Sequence, residues 1–115
     1  MTTYAYEFAD EDAPQLFLPP VSFPYASAHA SEIQYLFGLR HTVEAPDLTE
    51  EQQQLAEAMT TYWTSFARTG SPNRGDEPFW DAYDSKSDAM QLLIPPDPGV
   101  ETGFDVDHKC GLWTP

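Results

Sequence analysis

Apolar residues recur at spacings of three and four between residues 49 and 69, which places them on one face of an α-helix. The segment opens with Thr49-Glu50-Glu51-Gln52, a capping-box sequence in which the Thr and Gln side chains bind each other's backbone amides. Gly70 and Pro72 end it, because glycine accepts the left-handed turn after a helix and proline lacks the amide to continue. The sequence therefore predicts a helix over 49–69. Its apolar face comprises Leu55, Ala58, Met59, Tyr62, Trp63, Phe66 and Ala67.

Two shorter segments have the patterns of β-strands. Residues 3–9 alternate aromatic with small or polar side chains, which is typical of a strand with one buried face. Residues 90–94 form a compact apolar run that Pro95 and Pro96 close, and the run is too short for a helix. We expect one strand in each segment.

The stretch between the first strand and the long helix divides into two parts. Residues 10–28 carry several prolines among apolar residues, which predicts an extended, irregular loop that lies on another part of the protein. Residues 30–37 predict about two turns of helix, with Ile33, Leu36 and Phe37 on one side and Gly38 as the stop.

After the long helix, the sequence indicates a turn-rich connection over residues 74–87, with Phe79, Trp80 and Tyr83 packed onto the core. Residues 104–113 predict a final turn of helix that packs Phe104 and the pair Leu112-Trp113.

Length and charge narrow the class of protein. A chain of 115 residues has room for one small domain with a modest core, so a partner or a missing segment would matter to its stability. It carries 5 Lys and Arg against 19 Asp and Glu, a net charge of −14. Binding to nucleic acid or to an anionic membrane surface is not expected, because both depend on clustered basic residues. The acidic residues are scattered, as on a solvated surface.

Cysteine and histidine spacing gives no sign of a metal or another cofactor. Cys110 is the only cysteine, so an internal disulfide is excluded, and we expect a small buried side chain. The histidines lack the spacing of paired metal ligands on a helix. Asp105-Val106-Asp107 lacks the glycine and the closing Glu of a calcium loop.

The chain shows no secretory signal and no apolar run near the ~20 residues of a membrane span. If Met1 is the true start, these features favour the cytoplasm. If the chain is a piece of a longer protein, these residues do not indicate its cellular compartment.

Among the histidines, His29 has the most informative position, between an apolar loop and the start of a short helix. A histidine in such surroundings is more often structural than catalytic on local sequence alone. None of the serines lies in the Gly-x-Ser-x-Gly turn that exposes a nucleophile in α/β-hydrolases. Ser27 is too near His29 to leave space for a substrate carbonyl and an oxyanion hole. A self-contained Ser27/His29 site is therefore not expected.

Four motifs follow one another along the chain. They are Tyr4-Ala5-Tyr6-Glu7-Phe8, then Ala28-His29-Ala30-Ser31-Glu32-Ile33-Gln34-Tyr35-Leu36-Phe37-Gly38, then Met59-x-x-Tyr62-Trp63-x-x-Phe66-Ala67-Arg68-Thr69-Gly70-x-Pro72-Asn73, and finally Trp80-x-x-Tyr83. In this order they resemble the C-terminal end of the type B carboxylesterases, the serine esterases that include the cholinesterases and the bacterial nitrobenzyl esterases. The resemblance runs from about residue 3 to Trp113.

The resemblance implies an α/β fold: residues 1–115 would be a single C-terminal segment of an α/β-hydrolase domain, with about two strands, one long helix (49–69) and short flanking helices. His29 would be the triad histidine, with Ala30 where relatives often have Gly or Ser. Phe17 and Phe23 would be among the aromatic residues that bind the acyl group. The parent protein would hydrolyse small-molecule carboxylic esters through an acyl-enzyme, without a cofactor.

The same resemblance implies that the isolated chain is inactive, because the nucleophile serine and the acidic partner would lie in sequence outside these residues. Such a fragment would associate with itself or need the missing N-terminal part. An alternative from another class is a non-catalytic acidic module that retains the esterase tail and binds a protein partner. A Gly-x-Ser-x-Gly motif encoded upstream would favour the enzyme, and a genuine start site at Met1 would favour the module.

Overall fold

The computed structural model describes residues 1–16, 18–38 and 46–113. The strands are β1 (Tyr6–Phe8), β2 (Met90–Leu93) and β3 (Gly99–Glu101). The α-helices are α1 (Ile33–Phe37), α2 (Glu50–Thr69) and α3 (Phe104–Asp107), and a 3-10 turn follows at Cys110–Leu112. None of these helices is long and apolar enough to cross a membrane, as judged over the described residues.

The strands form one sheet in the order β1-β2-β3. β1 runs parallel to β2, with Tyr6 opposite Gln91 and Phe8 opposite Leu93. β2 runs antiparallel to β3, with Leu92 opposite Gly99. The strands predicted at 3–9 and 90–94 are confirmed, each somewhat shorter, while β3 is an addition. β3 has no alternating pattern of its own and depends on pairing with β2.

α2 begins and ends where the sequence predicts. The backbone N–H of Gln52 donates to the Thr49 hydroxyl at 3.2 Å, and the Thr49 N–H donates to the Gln52 side-chain oxygen at 3.0 Å, so both halves of the capping box form. At the other end Gly70 adopts a left-handed conformation with φ 77°, and its N–H donates to the Phe66 carbonyl at 2.8 Å.

The core lies between α1, α2 and the sheet, and the connecting segments add Ala13 and Trp80. Its buried apolar side chains are Ala13, Tyr35, Leu55, Ala58, Met59, Tyr62, Trp80 and Leu93. The predicted face of α2 is correct from Leu55 to Tyr62, but Phe66 is 49% exposed and Ala67 is also exposed. A helix of 20 residues is about 30 Å long. Strands of three or four residues span little more than about 10 Å, so the sheet covers the last turns of α2 only in part.

In α1 the buried side chains are Gln34 and Tyr35. Leu36 packs against the core, whereas Phe37 is 70% exposed. The expectation that Ile33, Leu36 and Phe37 share one packed side is therefore only partly correct. A five-residue helix has little more than one turn, and hydrogen-bonding groups on α1 determine which side faces inward.

Several aromatic and apolar residues of the C-terminal half are more exposed than predicted. Trp80 is buried, but Phe79 is 66% exposed, and the pair Leu112 and Trp113 is exposed to 78% and 84%. Cys110 is partly exposed rather than buried. The ring of Phe104 stacks on His108 with centroids 4.0 Å apart. The predicted packing of Leu112 and Trp113 is wrong, because hydrophobic residues bury only where another surface lies opposite.

The chain is more open than a closed domain of its size. Its Cα radius of gyration is 15.3 Å, against about 13 Å for a compact domain of this length. Its accessible surface is 7966 Å², whereas a folded monomer of 12.9 kDa exposes roughly 6,300 Å². The shape is a slab with extents of 44, 37 and 21 Å. Surface that a closed domain would bury is therefore open.

Candidate functional site

His29 lies at the tip of a tight turn that leads into α1. We call residues 26–31 the histidine turn. The backbone N–H of Ser31 donates to the Ala28 carbonyl at 3.1 Å, and the N–H of Ala28 donates to the Ala26 carbonyl at 2.8 Å. The His29 side chain is exposed to solvent. The turn thus presents the imidazole outward, where a second surface can reach it.

The backbone on both sides of His29 has an unusual conformation. Ala26 and Ala30 have φ angles of 50° and 70°. This left-handed region is uncommon for residues with a Cβ, because the Cβ crowds the neighbouring carbonyl oxygen. Such residues persist where surrounding contacts hold them, and they often occur at functional sites.

Neither serine beside His29 is arranged as a nucleophile. Ser27 is half-buried and Ser31 is 5% exposed. The Ser31 carbonyl accepts a hydrogen bond from the Gln34 side chain at 3.1 Å, and its hydroxyl lies 3.5 Å from the Gln15 side-chain nitrogen. Ser31 has a structural place within the turn.

Phe17 and Phe23 are the aromatic residues that the resemblance suggests for acyl binding. Phe23 is 62% exposed, and its ring packs edge-on against Tyr25 with centroids 5.8 Å apart. The Tyr25 hydroxyl donates to the Pro19 carbonyl at 2.5 Å. Phe17 lies outside the described residues, as does His41.

Below the histidine turn lies a set of buried polar side chains that the sequence did not reveal. We call Asp10, Gln34, Tyr35 and Gln52 the buried clamp; each is 6% exposed or less. The Tyr35 hydroxyl donates to the Asp10 carboxylate, and Gln52 donates to the same oxygen, Oδ2, at 2.9 Å. The other oxygen, Oδ1, accepts the backbone N–H of Asp12 at 3.0 Å.

Burial raises the pKa of the Tyr35 hydroxyl far above its ordinary range, and the hydrogen bond to Asp10 and the charge of that carboxylate raise it further. Tyr35 therefore keeps its proton and acts as a donor at neutral pH. The sequence predicts Gln52 only as a partner in the helix cap. A glutamine that also reaches a distant carboxylate has no local sequence signal.

Aromatic side chains form a second cluster between β1 and the C-terminal half of α2. They line a cleft of about 310 Å³ and meet mainly edge to face. The members are Tyr4, Tyr6, Tyr62, Trp63, Phe66 and Trp80.

Trp80 is fixed within this cluster by hydrogen bonds at both ends. Its ring N–H donates to the Ala5 carbonyl at 3.0 Å. The Asn73 side chain accepts the Trp80 N–H at 2.8 Å and donates to the Trp80 carbonyl at 2.7 Å. Two residues of the motifs that carry the resemblance are thus structural.

His108 follows α3 directly, beside Asp107, which lines an acidic groove of about 650 Å³. Its Nε2 is 2.9 Å from a carboxylate oxygen of Glu7 on β1. Over residues 1–16, 18–38 and 46–113, no three or more His, Cys, Asp and Glu side chains are grouped so that they could hold a metal ion.

A small mixed sheet packs on a long capped helix, and an exposed histidine lies on the turn that leads into α1. Residues 1–113 match the sequence model of the Carboxylesterase family. The chain belongs to the carboxylesterase family.

Relatives with curated descriptions agree with this assignment. The chain is 32% identical over 116 residues to mouse carboxylesterase 5A, and 37% identical over 112 residues to rat acylcarnitine hydrolase. Each alignment covers 96% of this chain and 19% of the relative. The chain therefore spans about a fifth of the length of these proteins.

Solved structures show the same fold. A PNB esterase superimposes with a TM-score of 0.68 at 22% identity, over 96% of this chain and 21% of that chain. A carboxylesterase from Geobacillus stearothermophilus gives a TM-score of 0.65 at 26% identity, over 95% and 21%. The predicted fold class, a fragment of an α/β-hydrolase, is confirmed.

Proposed function

We propose that this chain is the histidine-bearing segment of a serine carboxylesterase and that His29 is the general base of its catalytic triad. The observation that carries the proposal is the family match over residues 1–113, which includes the whole histidine turn. The exposure of His29 supports it, because a base must reach a serine supplied by another part of the fold.

In the proposed reaction, the serine hydroxyl attacks the ester carbonyl and His29 takes its proton. The tetrahedral intermediate collapses, the bond to the alcohol breaks, and His29 returns the proton to the leaving alcohol. Water then attacks the acyl-enzyme, again giving a proton to His29. When the acid leaves, that proton goes back to the serine oxygen, so the enzyme is restored.

The remainder of the site would come from outside these residues. A carboxylate must orient the imidazole, and backbone amides must bind the oxyanion. Phe23 supports the acyl-binding part of the proposal, since its ring is exposed on the loop before the histidine turn. Phe17 stays a prediction. We infer small carboxylic esters as substrates.

The openness of the chain also supports its being one part of a larger fold. It exposes roughly 1,700 Å² more surface than a closed monomer of its mass would. We infer that the remaining four fifths of the hydrolase fold cover this surface. The isolated chain is then expected to be inactive.

The test uses a chromogenic short-chain ester and two proteins. The first is the chain alone. The second is the longest polypeptide that the gene encodes around this chain or, if the gene encodes these residues alone, the chain co-expressed with the remaining part of a relative's fold. We expect saturable turnover only from the second.

In the active protein, His29→Ala should lower kcat by a factor on the order of 10³ or more, as loss of a triad member does. His108→Ala is the matched control, because it removes an imidazole paired with Glu7. Equal activity in His29→Ala and the unsubstituted enzyme would refute His29 as the base. Turnover by the chain alone that disappears in Ser27→Ala would refute the fragment hypothesis. Lack of activity in every arrangement would favour the acidic interaction module.

A further inference from the structure

The buried clamp connects the end of β1 with α1 and α2, yet no step of ester hydrolysis uses its side chains. Asp10 lies two residues after the end of β1, Gln34 and Tyr35 lie on α1, and Gln52 lies on α2. A carboxylate that is only 5% exposed is rare unless its oxygens are paired. We propose that Asp10 and Tyr35 are positioning residues that fix the orientation of His29, an inference whose catalytic part rests on the function proposed above.

Asp10 is attached firmly to the sheet. The N–H of Ala9, the residue before it, donates to the Leu93 carbonyl of β2 at 2.9 Å. Its Oδ2 then binds both the Tyr35 hydroxyl and the Gln52 side chain, so one carboxylate connects β1, α1 and α2. Hydrogen bonds to a charged group are stronger than those between neutral groups. A displacement of α1 from the sheet would break the bond to Tyr35.

Gln34 carries this restraint from α1 to the turn. Its side-chain amide donates to the Pro14 carbonyl at 2.7 Å and to the Ser31 carbonyl at 3.1 Å. Ser31 in turn closes the histidine turn through its N–H, which binds the Ala28 carbonyl. The chain of contacts therefore runs from the sheet through Asp10 and α1 to the residues on both sides of His29.

The backbone of the turn shows why such a restraint is needed. Ala26 and Ala30 occupy left-handed conformations that residues with a Cβ rarely adopt. In a free loop these residues would return to ordinary conformations, and His29 would then point elsewhere. Strained residues beside a functional side chain persist only where the surrounding structure determines them. In this proposal, the hydrogen bonds of the buried clamp hold the turn in these conformations.

Tyr35→Phe tests the proposal, because it removes the hydroxyl and keeps the ring. Amide hydrogen exchange of the whole 115-residue chain reports how often each backbone bond opens. We expect the Ala28 and Ser31 amides to exchange on the order of ten-fold faster in Tyr35→Phe, since a buried acceptor loses its donor. The Gln91 amide, which binds the Ala5 carbonyl in the sheet at 3.0 Å, should change much less.

Tyr62→Phe is the matched control. It also removes a buried hydroxyl, which donates to the Pro78 carbonyl at 2.5 Å, but it lies outside the clamp. Exchange at Ala28 and Ser31 that rises equally in both variants would mean a general loss of stability and would overturn the proposal. Should Tyr35→Phe fail to fold, the unsubstituted chain decides. Its Ser31 amide must then exchange at least several-fold more slowly than the Ser87 amide of an exposed turn, and equal rates would overturn the proposal.

The catalytic part has its own readout in the active protein described above. Tyr35→Phe should lower kcat on the order of ten-fold and leave KM nearly unchanged, because substrate still binds but the base is misaligned. Tyr62→Phe should retain kcat. An unchanged kcat in Tyr35→Phe would overturn the positioning role even if exchange is faster. If exchange behaves as expected while His29→Ala retains full activity, the proposed function fails and the restraint on the turn stands.

Discussion

At the scale of single residues, the backbone conformations around His29 carry a measurable strain. Ala30 has a φ angle of 70°, and Ala26 one of 50°. A left-handed conformation costs an L-residue about 1–2 kcal/mol relative to the ordinary helical region. Glycine does not have this cost, because it lacks the Cβ that crowds the carbonyl oxygen.

We therefore predict that Ala30→Gly raises the free energy of unfolding by about 0.5–1 kcal/mol, after the greater freedom of glycine in the unfolded chain is subtracted. Ala28→Gly is the control, because Ala28 lies in the same turn without a positive φ. It should lower stability by about 0.5–1 kcal/mol. Urea denaturation of the three chains measures both effects. Destabilisation by Ala30→Gly as large as that by Ala28→Gly would contradict the prediction.

The buried tyrosines make the stability of the chain depend on pH in the alkaline range. Burial raises the pKa of Tyr62 to about 12, and the charge of Glu77 adds to this effect. The pKa of tyrosine in an unfolded chain is about 10. Because the pKa of Tyr62 is higher in the folded chain than in the unfolded chain, its contribution to the free energy of unfolding is complete below about pH 10. This contribution is lost as the pH rises towards about 12. We expect stability to fall there by up to about 1.4 kcal/mol per pH unit for this residue.

Denaturation between pH 9 and pH 11.5, roughly the window that the two pKa values define, measures this loss. The stability of Tyr62→Phe should fall less steeply with pH, since the variant has one fewer tyrosine with a raised pKa. Tyr35 still contributes in that variant, because its pKa is also raised. An identical slope in the two chains would show that Tyr62 titrates alike when folded and unfolded.

At the scale of elements, α2 is the structural centre of the chain. Leu55 and Met59 on its inward face are fully buried, and its first turn supplies Gln52 to the buried clamp. Its last turns carry Trp63 and Phe66 into the aromatic cleft. One helix thus supports both the core and the segment that holds His29.

Met59→Ala should lower the free energy of unfolding by about 2–5 kcal/mol, because it removes a fully buried side chain and leaves a cavity. Trp63→Ala should have a smaller effect, since Trp63 is only half-buried. Thr64→Ala on the exposed face should stay within about 0.5 kcal/mol. Chemical denaturation ranks the three variants. A larger loss from Trp63→Ala than from Met59→Ala would show that the aromatic cleft, not the inward face of α2, stabilises the chain most.

At the scale of the whole molecule, the chain combines an open surface with a high negative charge. Several large apolar side chains are more than 60% exposed, among them Phe23, Phe37 and Trp113. In the described part of the chain the sheet ends at β1 on one side and at β3 on the other. Exposed strand edges and apolar patches favour association, while a net charge of −14 opposes it.

We predict that the isolated chain self-associates and that salt strengthens the association. At about 0.15 M ionic strength the screening length is near 8 Å, so repulsion between copies is already weak, and further salt weakens it more. Sedimentation velocity over a range of protein and salt concentrations measures the mass. A single species of monomer mass at high protein and high salt would contradict the prediction.

The sequence alone determined the features whose causes are local. The capping box lies within four residues, and the period of α2 can be read from neighbouring turns, so both ends of that helix were predicted correctly. β1 and β2 have their own alternating or apolar patterns. The order of motifs around His29 and Trp63 is sufficient by itself to indicate the family.

Tertiary structure alone decided which side chains are covered. Asp10, Gln34 and Gln52 are buried because their partners come from segments that are distant in sequence. Trp113 is exposed because no described segment lies over it, although its apolarity is typical of a core. Phe66 stays 49% exposed even though the ring of Tyr4 packs edge-on against it. β3 exists because β2 offers it hydrogen bonds. Local pattern states what a residue prefers, whereas burial and pairing depend on what the rest of the fold brings opposite to it.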